Sequence, residues 1–152
     1  MTAAILAYLH YLTIFVLFAL LSIEHVQFKP PLDLPRARSL LITDLSAGFC
    51  ASLVLLTGSL RLFWSGKGLD FYLHNPLFLT KVGLFLLLGS LAILPTLTIF
   101  NWRNDLQAGQ APRISARQAR WVTLCIRLEL LILLVMPLLA VFMARGYGAS
   151  GG

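Results

Sequence analysis

The sequence predicts an all-α integral membrane protein, a four-transmembrane-helix bundle with both termini on the non-cytoplasmic side. Composition points there first. Of the 152 residues 59% are hydrophobic and 12% charged, with a mean hydropathy of +0.85, whereas soluble domains carry about a quarter charged residues. Four apolar runs, at about 3–23, 40–63, 77–100 and 121–144, each supply the roughly twenty residues a helix needs to cross ~30 Å of hydrocarbon. Alternating barrel-type patterning is absent, and the connections leave no room for a separate soluble unit, so residues 1–152 are expected to form one membrane domain.

The first run has no Lys or Arg before it and is followed by Glu24, His25 and Lys29 instead of a small-residue cleavage site. It reads as a retained span, not a cleaved signal peptide. Pro30 and Pro31 stop that helix, while Asp33 and Pro35 offer the second a cap and an early-turn proline. Asn75 and Pro76 repeat the device for the third. Ser115 to Gln118 matches a capping box, so the fourth helix should start before the membrane, with Arg117 and Arg120 at the interface. Gly146 is expected to close it, leaving a short flexible tail from Gly148 to Gly152. Pro95 and Pro137 predict kinks. Gly48, Ala51, Ser52, Gly58 and Ser59 in the second run, with Gly83, Gly89, Ser90 and Ala92 in the third, predict close helix packing. Trp64, Tyr72 and Trp102 are expected at the membrane surfaces, and Cys50 and Cys125 as inert small hydrophobes.

Orientation follows from the basic residues. Lys29, Arg36, Arg38, Arg103, Arg113, Arg117 and Arg120 place seven of the twelve Lys and Arg on the first and third connections. Arg61, Lys67 and Arg145 place three on the other side, so the first and third connections should be cytoplasmic. The net charge of +6 then reflects topology and contact with anionic lipid, and nucleic-acid binding is excluded as a reading.

Two polar sets interrupt the apolar runs. His10, ~10 Å into the first span, and Lys81, ~6 Å into the third, share the non-cytoplasmic leaflet. His74 sits just outside that leaflet. An imidazole there is a candidate metal or heme-iron ligand, and Lys81 a partner for a propionate or other anion. The bland alternatives are a Lys81 that snorkels to headgroups and a His10 that bonds a hydroxyl of Tyr8, Tyr11 or Ser90. The second set belongs to the cytoplasmic leaflet: Glu24, His25, Arg38, Asp44, Arg127 and Glu129. Glu24 follows His10 by fourteen residues, which leaves it about 40° away around the axis, so one face of the helix should look into the bundle. Arg127 and Glu129 point to different sides, and a pairing of Asp44 or Glu24 with Arg127 is expected to fix helix register. A proton or ion relay through Asp44, Glu24 and His25 is the functional alternative. The span centres are almost wholly apolar, which argues against a channel or pump built from one subunit.

Several ordered motifs coincide with one family. Tyr8-Leu-His10-Tyr11, Glu24-His25, Arg36 and Arg38 followed by Asp44, Thr57-Gly58, Phe71 to Pro76 with Lys81, Pro95-Thr96, and Arg127-Leu-Glu129 run the length of the chain. In these the sequence resembles a bacterial family of four-helix membrane proteins designated a domain of unknown function, DUF2214. That resemblance implies a multi-pass protein of the bacterial inner (plasma) membrane and brings no activity. A fainter similarity is to the heme-b protoporphyrinogen oxidase and copper-export membrane families. By it His10 would match an axial-ligand histidine and Lys81 its paired lysine, with heme b as the implied cofactor. A second buried histidine is missing, so His74 or His25 would have to move inward.

No nucleotide-binding glycine loop, Ser-His-Asp set or HExxH occurs, and the question of catalysis stays open. Three functions are carried forward: heme or tetrapyrrole binding through His10 and Lys81, a small ion or metal transport component, and a non-catalytic helper subunit. The lipid bilayer is the expected partner, with room left for a homo-oligomer or a partner membrane protein.

Overall fold

A computed structural model describes residues 1–64 and 68–148. Lys67 and the tail beyond Gly148 lie outside the described residues. The described residues are helical with no strand. Four long helices, α1 (Thr2–Gln27), α2 (Leu34–Trp64), α4 (Pro76–Asn101) and α6 (Ala116–Ala144), are long and apolar enough to cross a membrane. Two short helices, α3 (Leu69–Leu73) and α5 (Arg103–Gln107), lie in the second and third connections, where only loops were expected.

The helix ends follow the local chemistry. Asp33 Oδ1 accepts from the Arg36 amide at 2.9 Å, and Asn75 Oδ1 accepts from the Leu77 amide at 2.9 Å with Pro76 at the first helical position. Ser115 Oγ accepts from the Gln118 amide at 3.2 Å, so α6 does begin ahead of its apolar run. At its other end Gly146, at φ 87°, lets its amide reach Met143 O and closes the helix. Both α4 and α6 continue through their internal prolines, Pro95 and Pro137.

α1 packs mainly on α2, and α4 mainly on α6. α1 also meets α6, while α2 and α4 touch least among neighbouring long helices. The four therefore form a ring in the order α1, α2, α4, α6, with α1 diagonal to α4. Phe15, Phe49, Leu86, Leu131 and Leu138 are exposed around it, an apolar girdle far too continuous for a water-facing surface. Lipid is the solvent that fits it.

Inside the ring each helix presents one stripe. Leu17, Leu21 and Glu24 mark it on α1; Leu40, Asp44, Ala47, Cys50, Val54 and Thr57 on α2; Val122, Ile126, Glu129 and Leu133 on α6. The three- and four-residue spacing is that of one helix face. Glu24, Asp44 and Glu129 occupy positions in these stripes, so helical phase drives them inward with the leucines. Two apolar clusters flank them. One, with Phe28, Ala37, Leu40, Ile99, Trp102 and Ile126, closes the end that carries the first and third connections; we call this the basic end. The other, with Leu17, Leu21, Val54, Leu88 and Ile132, fills the middle of the bundle. Trp102, the C-cap of α4, is buried in the first cluster, its ring stacked on Phe28 at 6.3 Å and 7°.

Candidate functional site: a buried carboxyl layer

Between the two clusters each long helix contributes one polar side chain at a common level. They are Glu24 from α1, Asp44 from α2, Thr96 from α4 and Glu129 from α6. The three acids are 1%, 5% and 2% exposed, and they are half of the six acidic residues in the chain. Asp44 and Glu129 are the charged neighbours of Glu24, and Asp44 is that of Glu129. Thr96 donates its hydroxyl to Asp44 Oδ1 at 2.9 Å across the gap between α2 and α4. Asp44 Oδ2 and Glu24 Oε2 are buried and bond no other group among the described residues.

The ion pairs expected from the sequence do not form. Arg127 and Glu129 do lie on different sides of α6, but the guanidinium goes outward: Arg127 is exposed, and no described ion pair joins it to Asp44 or Glu24. Two residues along a helix turn the side chain through about 200°, which puts Arg127 on the lipid face when Glu129 faces the ring. Arg38 is exposed as well and reaches the Leu106 carbonyl at 3.3 Å, tying α2 to α5. His25 is half-buried on the far side of the turn from Glu24, its Nδ1 buried and unpaired. The polar set of this leaflet thus splits into an acid trio facing inward and basic groups facing outward. Thr96 is the member that sequence reasoning missed. A hydroxyl beside Pro95, one turn from the helix end, was the available signal.

A cavity of about 200 Å³ opens from the layer. Glu24, Asp44, Thr96 and Glu129 line one part of it, and Ala47, Gly48, Ala51, Phe85, Leu88 and Gly89 are among the residues lining the rest. Gly48, Ala51, Ser52, Gly89 and Ala92 therefore border a gap where the sequence suggested tight helix contact, whereas Gly58 does sit close against the His10 ring of α1. Nothing lies within 4 Å of a Cβ built on Gly48 or Gly89.

The other polar set forms a second group near the opposite end. Thr57 directs its hydroxyl hydrogen to Leu53 O at 2.7 Å, so its oxygen is left to accept from His10 Nδ1–H at 2.9 Å. None of Tyr8, Tyr11 or Ser90 is the partner. Arg61 lies over the Tyr11 ring at 5.4 Å. Arg61 and, more weakly, Lys81 are the charged neighbours of His10. His10, Arg61 and Lys81 are all half-buried. His74 stays exposed, with Nδ1 against the Asp70 carbonyl at 2.9 Å, and does not join them.

These residues do not fit a heme held by two histidines. His74 is bound to its own turn, His25 belongs to the basic end, and neither they nor His10 lines the 200 Å³ cavity. That volume is also below the ~300–1,000 Å³ of drug-sized ligand sites. Among the described residues no group of three His, Cys, Asp or Glu side chains is disposed to hold a metal ion.

Buried acids inside a continuous apolar girdle are the arrangement of a membrane protein, and comparison with known families agrees. Residues 2–148 match the family model described as "Predicted membrane protein (DUF2214)". The chain belongs to this family. No curated protein and no solved structure matches it. The DUF2214 chain is thus a multi-pass membrane protein.

Proposed function

We propose that this DUF2214 protein is a bacterial inner-membrane component of small-cation transport, protons included, that neutralises its cation at the Glu24–Asp44–Glu129 layer, whose carboxyl groups are not disposed to chelate a metal ion and so act by their charge. One observation carries the reading: three buried carboxyl groups face one another with no basic side chain paired to them among the described residues. Neighbouring like charges in a low-dielectric interior repel strongly. Positive charge must come from outside the chain, as protons or as a bound cation. The apolar clusters on both sides make the bound cation occluded, as in a carrier between its open states and unlike an open channel. With the basic end cytoplasmic, as the distribution of Lys and Arg supports, the layer lies in the cytoplasmic leaflet and both termini lie outside.

The test is proton, Na⁺ and K⁺ movement in liposomes containing the purified protein and an internal indicator dye. Wild type should carry at least one of these ions at least tenfold faster than empty liposomes. Asp44→Asn and Glu129→Gln should return the rate to background, while His10→Ala leaves most of it. Wild-type rates equal to those of empty liposomes for all three ions would refute the proposal.

A further inference from the structure

The cavity has a shape that the cation alone does not explain. Its carboxyl groups are confined to the layer, and from there toward the membrane centre its walls are apolar but for Ser52, whose hydroxyl is bonded to Gly48 O at 3.0 Å. Leu55 on one wall lies eleven residues beyond Asp44, and Phe85 on the other lies eleven before Thr96. Both walls therefore extend ~16 Å along the bundle at 1.5 Å per residue. A volume of about 200 Å³ bordered over that length suits one narrow chain. The cavity also opens sideways. Gly48, Ser52, Leu55 and Gly89 line it and are exposed on the lipid-facing surface, in the gap where α2 and α4 touch least. Toward the nearer membrane surface the cluster around Phe28 and Trp102 blocks a direct path to water.

We propose that the cavity binds a single-chain amphiphilic amine taken from the bilayer, its ammonium head against Glu24, Asp44 and Glu129 and its alkyl chain in the slot between α2 and α4. This rests on the cation reading above and names the class of cation. Charge complementarity selects the head, since an ammonium brings the positive charge and the donors that Glu24 Oε2 and Asp44 Oδ2 lack. The apolar slot selects the tail, and the lateral gap gives the route. A hydrated inorganic ion matches the layer but leaves the slot unexplained.

The probe is radiolabelled dodecylamine added to phosphatidylcholine nanodiscs that contain the full chain, with dodecanol as the uncharged control. Expected is binding above that of empty nanodiscs for the amine and none for the alcohol. Glu24→Gln should weaken amine binding at least tenfold. Gly89→Leu, whose side chain meets only open space at its Cβ, should fill the slot and weaken it at least tenfold too, while proton or Na⁺ movement in liposomes persists. Equal binding of alcohol and amine, or full amine binding in Gly89→Leu, would overturn the proposal. Absence of amine binding with ion movement intact would overturn it and spare the cation reading; loss of both in wild type would remove both.

Discussion

The bundle holds two polar groups in hydrocarbon, and they solve the same problem differently. Around His10 the polar atoms are matched: Thr57 accepts from the imidazole, Arg61 rests on Tyr11, and Arg61 and Lys81 are half-buried on stems long enough to reach the headgroups. In the carboxyl layer three acids are shut between apolar clusters, and two of their oxygens have no partner among the described residues. A buried polar group without a hydrogen bond costs several kcal/mol. The matched group is explained by folding. The unmatched one is not, and a cost of that kind is retained where function needs it. The two histidine- and carboxyl-based sites therefore should respond in opposite ways to the removal of their polar groups.

The largest effect should come from breaking the seal between the carboxyl layer and water. Phe28 is 3% exposed and stacked on Trp102, so Phe28→Ala should cost about 3–5 kcal/mol of stability. It should also let a water-soluble carbodiimide label Glu24 from the basic end, read by peptide mass spectrometry. Unchanged labelling would mean that the cluster does not separate the layer from water.

Next comes the sign of the carboxyl effect. Replacing even a buried ion pair by apolar side chains of similar volume is often neutral or stabilising, by about 1–4 kcal/mol, and an unpaired acid has no such attraction to lose. Glu24→Met should therefore raise the thermal midpoint in detergent while cation movement is lost. A clear drop in that midpoint would show that Glu24 holds the fold together, and the contrast between the two polar groups would collapse.

Much of this was legible in the sequence, for physical reasons that also explain the gaps. The spans follow from apolar length, and the caps at Asp33, Asn75 and Ser115 are short-range chemistry that a local reading captures. Helical phase placed His10 and Glu24 on one inward face, and both face inward. What local reading could not supply is which helices adjoin. Arg127 looked like the economical partner for Asp44 because charge balance was assumed to operate inside the ring, yet phase sends it to lipid. Gly48 and Gly89 looked like contact residues because small side chains permit close approach; the ring order instead leaves α2 and α4 apart, so the same residues border a cavity. Thr57 and Thr96 escaped as partners because a threonine in an apolar helix usually bonds its own preceding turn, as Thr43 does with Ser39 O.

Smaller effects are expected on the matched side. Thr57→Val keeps the side-chain volume and removes the acceptor of His10 Nδ1–H. The loss should be about 1 kcal/mol, near the ~0.6 kcal/mol average of interhelical hydrogen bonds in membranes. Cation movement should be unchanged, and a loss of transport with normal stability would tie the two polar groups into one pathway.

The smallest effect should come from Gly58, beside the imidazole. A Cβ there would stand 3.1 Å from His10 Cε1, tighter than the ~3.5–4.0 Å of a comfortable carbon contact. Alanine is also the better helix former by ~0.8–1.0 kcal/mol, so crowding and propensity oppose each other. Gly58→Ala should change stability by less than ~0.5 kcal/mol while the ring shifts a few tenths of an ångström and its bond to Thr57 lengthens. Imidazole ¹⁵N chemical shifts report that movement directly. If Gly58→Ala instead cost as much as Thr57→Val with unaltered shifts, the ring would be clamped by contacts other than the Thr57 bond. His10 would then belong with the groups whose position the fold does not explain.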